Sequence, residues 1–105
     1  MCGIAGVYYR REQIPLNADQ HSSIYMPKML EALSHRGDLQ SGWKRTGKAA
    51  LGMNRLGIVN RHIDQIPYSN ETDSVHFVFN GEVYNYPSVR AGLREKHEFR
   101  SHTDS

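Results

Sequence analysis

The chain has 105 residues, room for one small domain, and its 38% hydrophobic and 23% charged residues are polar for a globular core yet not of the disordered type. A net charge of +2 is too small to argue for nucleic acid or an anionic membrane as partner. A single cysteine excludes an internal disulfide, no apolar run nears the ~18 residues of a membrane span, and the N-terminus lacks the layout of a signal peptide, so a cytoplasmic protein is expected.

The chain opens Met1-Cys2-Gly3. A small second side chain such as Cys normally permits removal of Met1. Cys2 would then carry a thiol and a free α-amino group on one residue. N-terminal amines activate neighbouring nucleophiles by accepting their proton, and the thiolate is the attacking form of a cysteine. The bland alternative is a lone Cys acting as a small buried hydrophobe.

Residues 3–9, Gly-Ile-Ala-Gly-Val-Tyr-Tyr, are short, apolar and rich in β-formers, which predicts a buried strand with Cys2 at its start on a sheet edge. Residues 10–23 are polar, contain Pro15, and read as a surface loop. A helix is predicted over 24–34. Pro27 is acceptable only in a first turn and so should lie near its start, while Met26, Met29, Leu30 and Leu33 form one apolar face. Gly37 ends it, and His35-Arg36-Gly37 opens a polar loop running to Ser41-Gly42. There Arg36 reads as a solvated cation or a functional one, and His35 as a helix-end cation.

Residues 49–60 read as two short β segments with Arg55 set among apolar neighbours. Such an arginine either points to solvent from a half-buried strand or clamps a carboxylate, which a guanidinium fork matches. Residues 61–74 are a polar connection with Pro67, Asn70 and Asp73. Val75 to Phe79 predicts a strand ending at Asn80-Gly81, a pair that suits a tight turn. The same pair offers a side-chain amide donor and a backbone N–H that could form an oxyanion hole. A second helix is predicted over 86–96, with Pro87 in its first turn and Val89 and Leu93 on an inner face; residues 98–101 begin a further strand. His97 and His102, five apart, do not have helical metal-ligand spacing.

Five pieces in order carry a resemblance: Met1-Cys2-Gly3-Ile4-Ala5-Gly6, His35-Arg36-Gly37, Arg55-Leu56-Gly57-Ile58-Val59, Phe79-Asn80-Gly81-Glu82-Val83-Tyr84-Asn85-Tyr86 and Thr103-Asp104-Ser105. Together the set resembles the class II, N-terminal-nucleophile glutamine amidotransferase domain, and within it the glutaminase domain of glutamine-hydrolysing asparagine synthetases. The resemblance implies an α+β fold, the αββα sandwich of N-terminal-nucleophile hydrolases, with residues 1–105 covering a truncated first part of it. It implies hydrolysis of glutamine to glutamate and ammonia through a γ-glutamyl thioester. Cys2 would be the nucleophile, and Asn80 and Gly81 the oxyanion donors. Arg55 would bind the α-carboxylate, Glu82 and Asp104 the α-ammonium, and Ile58 and Val59 the pocket backbone.

The implied step needs no cofactor; ATP and Mg belong to a synthetase domain that lies outside this sequence. Glutamine is the implied ligand, and a synthetase domain or chain that completes the fold the implied partner. The alternative is a non-catalytic remnant or a partner-dependent module of the same fold. Two departures from the family pattern stand out. Asp38-Leu39 follows Gly37 where a proline is usual, and Met53-Asn54 replaces a basic or polar pair before Arg55.

Overall fold

A computed structural model describes residues 2–10, 18–37, 40–56 and 66–99. In chain order these form β1 (Gly3–Tyr8), α1 (Ala18–Ala32), a 3-10 turn (Ser34–Arg36), β2 (Gln40–Thr46), β3 (Ala49–Arg55), β4 (Tyr68–Ser69), β5 (His76–Phe77) and α2 (Tyr86–Leu93). The architecture is α+β. An antiparallel sheet of order β1-β3-β2 carries α1 on one face, and β4 and β5 form a second, two-stranded antiparallel sheet. Among the described residues, no helix is long and apolar enough to cross a membrane.

β3 is central because its sequence can be covered on both sides. Ala50, Gly52, Met53 and Asn54 are all buried, as a strand between two partners and under a helix requires. β2 reaches it through the two-residue loop Gly47-Lys48. There Gly47 sits at φ +56°, a conformation glycine adopts freely and hairpin loops need. β1 pairs with the other side of β3, Gly3 opposite Asn54 through Tyr8 opposite Ala49.

β1 matches its predicted span and lies at a sheet edge among the described strands. It is not buried as expected. Ile4 and Tyr8 are exposed, because an edge strand with α1 on one face leaves alternate side chains outside.

The helix differs most from expectation. It starts at Ala18, so residues 18–23 are helical rather than loop, and Pro27 lies inside it. Its buried residues are Ala18, Ser22, Met26 and Leu30, a four-residue step that extends the predicted Met26 and Leu30 face by two turns. Pro27 lacks the N–H that would meet the Ser23 carbonyl. Both residues are on the exposed side, where water can satisfy that carbonyl. Ser22 is wholly buried and donates its hydroxyl to the Ala18 carbonyl at 2.7 Å. The stripe packs where β3 is thin: the Met26 methyl lies 2.8 Å from where a Cβ on Gly52 would stand. Burying such a methionine is worth about 1.5–3 kcal/mol, of the order of the ~3 kcal/mol that a proline inside a helix costs, and Leu30 on the same stripe is buried with it.

Other expectations shift in length. The region predicted as loop up to Ser41-Gly42 is already strand from Gln40. The two segments predicted over 49–60 are a single strand within the described residues. The connection 61–74 contains β4. The strand predicted over 75–79 shrinks to His76–Phe77, because its partner β4 offers only two residues to pair with. Asn80-Gly81 is a bend rather than a hairpin turn. The hairpin loop is instead Asn70 to Val75, closed by the Asn70 N–H on the Val75 carbonyl at 3.1 Å.

α2 begins at Tyr86 with Pro87 in its first turn, as predicted. Its expected inner face is absent: Val89 and Leu93 are exposed and no α2 residue is buried among the described ones. Glu98 and Phe99 are not strand, and residues 100–105 lie outside the described set.

Candidate active site

Register alone begins to assemble a site. Gly3 pairs with Asn54 and Gln40 with Arg55. One step beyond the β1–β3 ladder sets Cys2 across from Arg55. Residues opposite each other in an antiparallel pair share a face, and alternation puts Arg55 on the Met53 face. Cys2 packs on that same face, against the buried cluster of Met53, Ile66 and Tyr68, beside Val78 and Phe79. The thiol residue is free and half-buried. Cysteine and arginine thus converge on the side of the sheet away from α1.

Two donors fix the Cys2 backbone. Its carbonyl accepts from Asn80 Nδ2 at 3.0 Å and from Arg36 Nε at 3.2 Å. Asn80 is 78 residues away in the chain, and it is delivered by the stretch that leaves β5. A carboxamide has two N–H donors, so one remains beyond the bond to Cys2. Gly81 follows at an exposed bend, with the Phe79 ring 3.3 Å from where its Cβ would stand. Glu82 is exposed just beyond.

Arg36 is placed by the end of α1. The helix closes at Ala32, the 3-10 turn carries Arg36 back over β1, and the Gly37 N–H bonds the Ser34 carbonyl at 3.3 Å. Gly37 is not a left-handed helix cap, since its φ is −175°, extended backbone open to any residue. Its requirement is space: a Cβ there would lie 2.7 Å from the Arg55 carbonyl carbon. The turn after α1 therefore presses on the backbone of Arg55 while its arginine holds Cys2.

Of the residues singled out in the sequence, Cys2 and Asn80 are brought into contact through the Cys2 carbonyl, and Gly81 follows Asn80 in the chain. Arg55 shares the Cys2 face, and Glu82 is nearby in sequence without a described contact to them. Ile58, Val59 and Asp104 lie outside the described residues, as does His102. The sequence left Arg36 open between solvent and function; the structure places it on Cys2. It gave Asn54 only as part of a departure from the family pattern and Ser41 only as the end of a loop, with no role for either. Asn54 is 2% exposed, donates to the Leu30 carbonyl at 2.5 Å and accepts from the Ser41 hydroxyl at 2.7 Å. The available signal was an amide inside the apolar strand Leu51-Gly52-Met53, since buried polar groups demand partners.

Away from the site, Asp73 in the β4–β5 loop has its carboxyl held below the usual 3.8. The Ser69 hydroxyl bond is the main cause, partial desolvation opposes it, and the charges of Lys44 and His76 add to the lowering. Among the described residues no group of three or more His, Cys, Asp or Glu comes together as a metal site would require.

The family model for the glutamine amidotransferase domain matches residues 1–105. This chain belongs to that family. A putative glutamine-hydrolysing asparagine synthetase of Methanocaldococcus jannaschii is 33% identical over an alignment that takes in 100% of this amidotransferase domain and 22% of the relative. Asparagine synthetase 1 of Bacillus subtilis is 32% identical over 100% of the chain and 16% of its own length. The Brassica oleracea asparagine synthetase is 33% identical over 99% of the chain and 17% of its length. The amidotransferase domain thus spans roughly a fifth or less of these relatives, and the matched part is their N-terminal one.

Proposed function

We propose that this domain hydrolyses the side-chain amide of glutamine, with Cys2 as the nucleophile once Met1 is removed. The observation that carries the reading is the Asn80 amide held 3.0 Å from the Cys2 carbonyl, which puts a candidate oxyanion donor beside the candidate nucleophile. The Cys2 sulfur bonds to the amide carbon, and its proton passes to the Cys2 α-amine. The negative oxygen that develops is met by the second N–H of Asn80 and the Gly81 N–H. One such donor is typically worth about 2.7–4 kcal/mol of barrier. The carbon–nitrogen bond breaks, the α-amine returns its proton to the leaving nitrogen, and ammonia departs. Water then cleaves the γ-glutamyl thioester to glutamate and restores the thiol.

Glutamine presents a carboxylate and an ammonium, and Arg55 is assigned to the first. Glu82 and Asp104 are assigned to the second, with Ile58 and Val59 as pocket backbone. The step as written needs no cofactor; ATP and Mg belong with a synthetase domain that would consume the ammonia. The same reading takes the fold as part of an αββα sandwich, residues 1–105 as one partial domain, and the location as cytoplasmic. The relatives' names, glutamine-hydrolysing asparagine synthetases, support glutamine as substrate and such a synthetase domain or chain as partner.

The test is intact mass before and after exposure to a glutamine-mimicking diazo ketone, with ammonia release in parallel. Loss of Met1, one adduct, and loss of both adduct and turnover in folded Cys2→Ser are expected. Turnover that survives Cys2→Ser overturns the assignment. A second reading, a non-catalytic, partner-dependent module of the same fold, is favoured by the exposed Val89 and Leu93 of α2. Loss of Met1 without adduct, in a chain that elutes as a complex, selects it.

A further inference from the structure

We propose that Asn54 is a positioning residue for Cys2, acting through the end of α1 and Arg36. Asn54 stands where its own strand, both neighbouring strands and the end of α1 meet. Its backbone belongs to the central strand β3, opposite Gly3 on β1 and Ser41 on β2. Its side chain leaves the sheet on the α1 face, opposite to that of Cys2, and donates to the Leu30 carbonyl at 2.5 Å while accepting from Ser41 Oγ at 2.7 Å.

The Leu30 carbonyl is among the last four of a helix that ends at Ala32, so it lacks a regular helical partner. Among the described residues it receives the tightened Leu33 N–H at 3.1 Å as well as Asn54. The Asn54 amide therefore ties the helix end to the sheet where the chain turns into Ser34–Arg36. Four residues after Ala32, Arg36 donates to the Cys2 carbonyl. The order of dependence is Ser41 orienting Asn54, Asn54 holding Leu30, and the held helix end aiming Arg36 at Cys2. A buried amide with both ends engaged has one orientation, so the link transmits position rather than mere adhesion. Arg55 depends on it less, because its backbone is held by pairing with Gln40 on β2.

Cys2 is the only cysteine, so a chain grown on carbonyl-13C cysteine gives one carbonyl signal, read from the very oxygen that Arg36 and Asn80 bind. Loss of a donor moves such a signal upfield, and Arg36→Ala sets the reference. Asn54→Leu, near in volume but without hydrogen bonds, should move it in the same direction, and Ser41→Ala should move it less. Met26→Ala removes packing elsewhere on α1 and should leave it in place. A folded Asn54→Leu with an unmoved signal overturns the proposal, as does a Met26→Ala signal displaced as far. Should Asn54→Leu not fold, Ser41→Ala decides: displacement supports the link and its absence refutes it.

The kinetic arm rests on the glutaminase reading. In Asn54→Leu the limiting rate of Cys2 alkylation by the diazo ketone should fall about ten- to a hundredfold, as small misplacements of reacting groups do, with the half-saturating concentration unchanged. An unlabelled wild-type chain defeats the glutaminase reading, while the carbonyl signal still decides the role of Asn54.

Discussion

The sheet β1-β3-β2 with α1 buries Met26, Leu30, Ala50, Met53 and Asn54; α2, at the other end of the sequence, buries none of its residues. The first region is held by a long strand ladder and a matched helix stripe. The contacts of the second include Asn80 on Cys2, and His97 Nδ1 against the Glu71 carboxylate at 2.7 Å. Between them lies the Met53, Ile66 and Tyr68 cluster, with Cys2 packed on it. The candidate nucleophile thus sits where the strand ladder meets the segment that brings the candidate oxyanion donor.

The comparison breaks most visibly if equal truncations in the two regions have equal effects. Met26→Ala should lower unfolding free energy by about 2–5 kcal/mol, as other buried methionine deletions do. Leu93→Ala on the exposed α2 should change it by about 0.5 kcal/mol or less. Paired urea titrations of the two variants check this, and comparable losses would mean that α2 belongs to the body.

Next in size, Gly37→Ala forces a methyl against the Arg55 and Leu56 backbone, 2.7 and 2.8 Å from two of its atoms. A destabilisation of about 1–3 kcal/mol is expected from such overpacking, together with weaker saturation by glutamine. Wild-type stability in urea would show that the turn after α1 yields freely and does not set Arg55.

The smallest effect lies in the β4–β5 loop. The carboxyl of Asp73 is lowered in the folded chain by Ser69, Lys44 and His76. A depressed carboxylate contributes stability present above its unfolded value and lost as pH falls through its folded one. Asp73→Asn should therefore narrow its stability gap to wild type as pH drops below the usual 3.8, with little change near neutrality in how stability varies with pH. Thermal melts across that range test the sign; a gap that widens in acid would contradict it. Because Asp73 is exposed, the effect is a small one.

The two regions also differ in what could be read beforehand. Residues 3–9 and 49–60 showed β segments through apolar, β-forming runs, and the helix showed its face through Met26 and Leu30. β2, Gln-Ser-Gly-Trp-Lys-Arg-Thr, has no such run. It is a strand because Gly47 folds it back onto β3, and the ladder supplies what its composition lacks. The helix start was misplaced because Pro27 is a strong local signal and the packing of Ala18 and Ser22 is a distant one. Val75 to Phe79 erred in the other direction: good β-formers remain irregular where only Tyr68 and Ser69 pair with them.

The candidate site divides along the same line. By itself the sequence determined the family, through five ordered pieces from Met1 to Ser105, and with it the choice of Cys2, Asn80, Gly81 and Arg55. Those are residue types that amide chemistry demands, and they survive in order along the chain. Only the tertiary structure decided that Arg36 holds the Cys2 carbonyl, that Asn54 joins helix end to sheet, and that Gly37 is needed for the space beside Arg55. These depend on distances between segments far apart in sequence, set by register and packing, which no local pattern of residues encodes.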